Sequence, residues 1–153
     1  MIRLGLCCKF DQEPIAFRTA TVTALARLPR NQQLAKLSHI ALANAEALRQ
    51  ALAYCAAHNI GCFRVNSQIL PAKTHHTVGY AIGDLPDNAA IIDAFRDCGR
   101  FAKQKGLRLS FHPDQFILLS ALDPEIVRKS ILDLEYQAEV ASWIQADVIN
   151  IHA

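Results

Sequence analysis

The chain has 153 residues, 52% of them apolar and 20% charged, with a formal net charge of +2. That length and composition suit a single domain with a sizeable core and exclude a disordered or fibrous chain, and so small a charge does not by itself announce a nucleic-acid partner. No run of 18 apolar residues offers a membrane span, and the N-terminus lacks the apolar region and cleavage site of a signal peptide, so a cytoplasmic protein with no membrane partner is expected.

Five cysteines, Cys7, Cys8, Cys55, Cys62 and Cys98, form no C-x-x-C pair. Neither a disulfide framework nor a zinc knuckle follows, and they are expected to be small buried hydrophobes. Charge is unevenly spread: the first 45 residues hold six basic side chains against Asp11 and Glu13.

In chain order, residues 2–6 read as a first strand, ended by Gly5 and the Cys7-Cys8 pair. Residues 9–30 show neither clean period and carry Pro14 and Pro29, which predicts a long, basic loop; a loop of that length in a compact domain is usually functional. Asn31 is the expected N-cap of a long helix with Leu34, Leu37, Ala41, Leu48, Leu52 and Cys55 at helical spacing, ending near His58. Residues 60–65 follow as a second strand with Arg64 near its end, and residues 67–86 as an irregular stretch holding His75 and His76.

Asp87 opens the next helix, with an apolar face of Ile91, Ile92, Phe95, Cys98 and Ala102. Lys103 and Lys105 suit its C-terminal dipole and Gly106 a left-handed cap. Leu107, Leu109 and Phe111 then alternate with Arg108 and Ser110, a short strand stopped by Pro113, which cannot continue a ladder. Asp123, Pro124 and Glu125 start another helix, whose predicted face is Val127, Ile131, Leu134, Ala138 and Ala141. Residues 148–152 are the last strand.

Strands alternating with helices imply parallel strands joined by crossovers. No G-x-G-x-x-G is present to mark a dinucleotide fold. Long loops follow the strand ends while helix-to-strand connections are tight, as in a (β/α)8 barrel whose reactive face lies at the strand tips. A whole barrel takes about 250 residues. Residues 1–153 therefore read as one α/β domain, the N-terminal half of such a barrel, with four parallel strands. Its inward side chains, expected to include Leu4, Leu109, Phe111, Val148 and Ile151 or their alternates, would lack opposing strands, so a homodimer or other association is expected.

Two strands end in histidine, His112 and His152, at corresponding places. Together with Ile2-Arg3-Leu4-Gly5, Arg18-Thr19, Phe63-Arg64-Val65, Leu70-Pro71 with His75, and Ser110-Phe111-His112-Pro113 with Gln115, this pattern covers essentially the whole chain. It resembles the UV-damage endonuclease family, relatives of the endonuclease-IV and xylose-isomerase-like metal-dependent barrels. The Ser-x-His-Pro-x-Gln block with a later His is the specific part.

The resemblance implies a DNA-repair endonuclease that nicks damaged double-stranded DNA beside UV photoproducts. His112 and His152 would be ligands of a divalent metal, manganese or zinc, with His75 in the same catalytic site. Gln115 and Phe116 would form a wedge at the lesion, and Arg18 and Arg64 would contact DNA. Neutral imidazole binds both metals, and an ion so held can generate hydroxide at neutral pH. Gln115 can hydrogen-bond an orphaned base while Phe116 stacks. The basic loop would contact the backbone.

The sequence departs from the family in having Leu6 and Phe116 where tyrosine is common, and the family's remaining carboxylate, histidine and modified-lysine ligands would lie beyond Ala153. Each signal also has a plainer reading. A histidine at a strand tip is often a satisfied polar residue, Gln115 and Phe116 can be ordinary loop packing, and Arg64 can pair with a carboxylate inside the barrel. His39, His58 and His76 are expected at the surface or in a loop. A sugar isomerase or epimerase on the same barrel, a non-catalytic DNA-binding module and an inert truncation are the competing functions.

Overall fold

The computed structural model describes residues 2–7 and 9–151. Four strands, β1 (Gly5–Leu6), β2 (Cys62–Val65), β3 (Arg108–Phe111) and β4 (Val148–Ile149), form one sheet in sequence order, every neighbouring pair parallel. Between them run α1 (Val22–Ala26), α2 (Arg30–Ala57), α3 (Asn88–Gln104) and α4 (Pro124–Ile144), with one 3-10 turn at Ile82–Asp84. This is the expected half-barrel, with the long connections on the strand C-terminal side.

The strands are shorter than the sequence suggested, for a reason visible at the sheet's edge. β1 pairs on one side only, yet the Leu4 carbonyl accepts from the Gly61 and Cys62 amides at 3.0 and 3.2 Å, so pairing reaches one residue before the formal strand. Gly5 lies within β1 and does not end it. Beyond β4, the Asn150 amide still donates to the Phe111 carbonyl at 2.9 Å. His152 and Cys8 lie outside the described residues.

The basic loop is not wholly irregular. Thr21 caps α1 by accepting the Ala24 amide on its hydroxyl at 3.2 Å, which satisfies one of the donors that a helix start leaves open. α2 begins at Arg30, one residue before the expected cap, and Asn31 bonds only the neighbouring Gln32 amide. Asp87 flanks α3 but its carboxylate accepts from the Ser38 hydroxyl at 2.8 Å, fastening α3 to α2 instead of capping its own helix.

The core lies between sheet and helices. Phe63, Val65, Leu109 and Phe111 are buried there with Leu37, Leu48 and Leu52 of α2, Ile91 and Phe95 of α3 and Val140 and Ile144 of α4. Leu109 and Phe111 thus point outward, under the helices, while Val148, in register with Ser110, takes the other face as expected. Their alternates Arg64 and Ser110, paired across the sheet, take that other face too and are only part-buried. The inner face of the half-barrel accordingly mixes polar Arg64 and Ser110 with Cys62 and Val148, while Leu4 and Ile151 are exposed at the two sheet edges.

α4 turns only part of its predicted face to the core, with Ala141 buried but Ile131 and Ala138 exposed. Ser130, Tyr136, Gln137, Val140, Ala141 and Ile144 are buried, whereas Ile126, Ile131 and Leu132 are exposed. Gly99 explains how closely α3 and α4 meet: a Cβ there would stand 2.6 Å from the Ile144 carbonyl group. Two cysteines behave as expected, burial pushing the Cys98 thiol up to about 12 and Cys55 to about 11. Cys7, by contrast, is exposed and does not pack. No helix among the described residues is long and apolar enough to cross a membrane.

Candidate functional site

The strand tips bring together two of the residues singled out from sequence. Arg64 is paired with Ser110 across β2 and β3, and its Nη1 reaches diagonally to Nδ1 of His112, at 3.2 Å. A guanidinium can only donate, so Nδ1 accepts, and the neutral ring carries its proton on Nε2. The partner of Arg64 seen here is an imidazole, where a carboxylate was the plainer expectation.

After His112, buried Pro113 turns the chain, and the Asp114 carboxylate accepts the Phe116 amide at 3.1 Å, an Asx turn that fixes the loop. Gln115 is exposed and Phe116 is 73% exposed, so both project from the strand-tip side. An exposed aromatic ring on a hydrogen-bonded turn suits stacking on a planar group better than it suits packing.

Arg18 goes elsewhere. Its Nη1 donates to Nε2 of His39 on α2 at 3.1 Å, while its backbone is held by Asn44, whose side chain bonds the Arg18 amide at 2.7 Å and carbonyl at 2.9 Å. Asn44 also donates to the Ile69 carbonyl at 2.8 Å. One fully buried amide thus ties the loop after β1 to the loop after β2. His39, His58 and His76 are exposed, as expected.

His75 sits in the loop after β2, its Nδ1 accepting the Thr77 amide at 3.2 Å and its ring 4.4 Å from that of His76. It lines a cavity of about 790 Å³ between that loop and α4, walled also by Thr19 to Val22 after β1 and by Asp114 and Ile117 after β3, but by neither Arg64 nor His112. The loop is pinned to α4: the Tyr136 hydroxyl accepts the Leu70 amide at 3.1 Å and donates to the Ser67 carbonyl at 3.0 Å, and Lys73 pairs with Glu139 at 3.7 Å. Burial pushes the Tyr136 hydroxyl far above its ordinary range, so it stays a protonated donor. Gly79 is required in this loop, because a Cβ there would collide with the His75 carbonyl oxygen.

Sequence reasoning missed Asn44 and Tyr136. Asn44 falls between Leu37, Ala41 and Leu48 on one helical stripe, and a polar residue on such a stripe is the signal that could have flagged it.

Among the described residues no group of three or more His, Cys, Asp or Glu side chains could hold a metal ion. The β3 tip offers one imidazole with a cation beside it, which opposes a second cation. The described residues therefore do not by themselves fit a divalent ion.

A family model described as UV-endonuclease UvdE matches residues 2–152. Similar curated proteins include a UV DNA damage endonuclease of Bacillus cereus (strain B4264), 32% identical over 139 residues that make up 88% of this chain and 42% of the relative. One of Bacillus anthracis is 33% identical with the same coverage. The solved structure of SacUVDE superposes with a TM-score of 0.81 at 25% identity, covering 99% of this chain and 49% of that one. The chain spans less than half the length of these curated relatives. With four parallel strands in barrel order and a family match over nearly every residue, the chain belongs to the UV-endonuclease UvdE family.

Proposed function

We propose that this chain is the lesion-recognising half of a metal-dependent DNA-repair endonuclease, one that in a complete barrel nicks the backbone beside UV photoproducts. The observation that carries the reading is the strand-tip arrangement: Arg64 and His112 in contact on the inner side, with Gln115 and the exposed Phe116 on the turn that follows. A guanidinium there attracts a phosphate, and a projecting ring beside an amide probes a distorted duplex without reading its sequence.

In this reading His112 and His152 serve as two ligands of a manganese or zinc ion, whose site the described residues alone do not complete. His75 serves the same site from the loop after β2. The half-barrel alone binds damaged duplex and does not cut it.

Gel shifts on matched duplexes, with and without a single photoproduct, test the proposal. Preference for the lesion duplex that falls on Phe116→Ala supports it. Equal affinity for both duplexes, unchanged by Phe116→Ala, overturns it.

A further inference from the structure

The geometry points to a nucleobase-binding subsite in the cavity between the loop after β2 and α4, with the Gln137 side-chain amide as its reading group. The inference rests on the nucleic-acid reading above and adds a second place, walled in part by Asp114 and Ile117 of the turn after β3, where the ligand is held.

Gln137 is 3% exposed, yet its Oε1 has no hydrogen-bond partner among the described residues, and the side chain lines the cavity of about 790 Å³. A buried amide left unpaired is costly, so a native fold that retains one in the wall of a cavity calls for a ligand there. Charge does not choose that ligand. Arg128 and Lys129 at the rim are both engaged by Glu125, at 2.8 and 3.6 Å, and the Asp133 carboxylate accepts from the Thr74 hydroxyl. What remains is the Gln137 amide, an acceptor oxygen with two donor hydrogens, in a wall shared with the rings of His75 and Tyr136 and the apolar Leu132.

That combination fits a planar neutral heterocycle. Glutamine reads a base edge by pairing its acceptor and donor with a donor and acceptor side by side, and flat walls suit a π-face. The volume lies in the range of small-molecule sites and leaves room for the sugar attached to the base. The walls are also fixed before any ligand arrives, because Tyr136 bonds Leu70 and Ser67 and Thr74 bonds Asp133. A phosphate would find its cations already paired.

The test is ligand-observed NMR of the full chain with free thymidine and free deoxyadenosine, and with N-acetylglycinamide as a peptide-amide control. Two variants are compared: Gln137→Leu, which removes the orphan amide at similar volume, and Leu132→Trp, which fills the cavity from a part-exposed position. Gln137→Leu should melt no lower than the parent, since replacing an unpaired buried amide by an apolar side chain is neutral or stabilising. The expected result is saturation transfer to at least one nucleoside, weakened about tenfold by Gln137→Leu and abolished by Leu132→Trp.

No transfer to either nucleoside, transfer unchanged in both variants, or equal transfer to the amide control would overturn the inference. Lesion-duplex gel shifts on the same preparations separate the two ideas. Lesion preference without nucleoside binding removes only the subsite, whereas loss of both removes the nucleic-acid reading as well.

Discussion

The Arg64 guanidinium stands 3.2 Å from Nδ1 of His112, across two parallel strands and just beyond the Arg64–Ser110 pair. An ion seated on Nδ1 has to displace this guanidinium. The isolated chain is therefore expected to bind manganese or zinc weakly, with His112→Ala removing the binding that remains. Calorimetry reads this directly, and undiminished binding in a His112→Ala, His152→Ala double variant would contradict the ligand assignment.

Lesion recognition is the second expectation. In a complete barrel, Gln115→Ala and Phe116→Ala should each weaken damaged-duplex binding by about 1–3 kcal/mol, the worth of a stacking contact, while undamaged duplex is little affected. Equal losses on both duplexes would reassign these residues to supporting the loop.

Packing between α3 and α4 gives a third. Because a Cβ at Gly99 would lie 2.6 Å from the backbone of Ile144, Gly99→Ala forces the helices apart. The expected cost is about 1–3 kcal/mol, read as a drop in melting midpoint of about 2–4 °C per kcal/mol. An unchanged midpoint would mean that α4 is not seated on α3 as described.

Those three rest on features that the sequence revealed to different degrees. His112 was legible because Pro113 ends its strand and fixes it at a tip. Its contact with Arg64 was not, since that depends on the register between β2 and β3. The alternation of Leu107, Leu109 and Phe111 correctly grouped side chains on one face, but alternation alone does not say whether that face meets the helices or the barrel interior. α4 was misread because Ile126, Ile131 and Leu132 make it apolar on several sides, while buried Ser130 and Tyr136 are spent on bonding loops, Ser130 to the Leu118 amide at 2.9 Å. α1, five residues long, is too short for any periodicity to show.

Association is the fourth expectation, on grounds that differ from those given by the sequence. The inner face carries Arg64 and Ser110, but Leu4 and Ile151 at the sheet edges, Leu122 just before α4, and Ile126 and Ile131 on it are exposed, and both edge strands have open pairing sides. Such edges and patches promote dimers or larger assemblies. Light scattering should report a mass above that of one chain, reduced by Ile126→Glu with Ile131→Glu; a monomer at all concentrations would contradict it.

The proposed function has these residues recognise UV damage, with no cutting centre completed by the described residues alone. Nicking of UV-irradiated plasmid by the purified chain in the presence of manganese tests it most directly. No nicking above that of the His112→Ala variant is expected, alongside retained preference for lesion duplex. Nicking that follows the protein through purification and disappears on His112→Ala would contradict it.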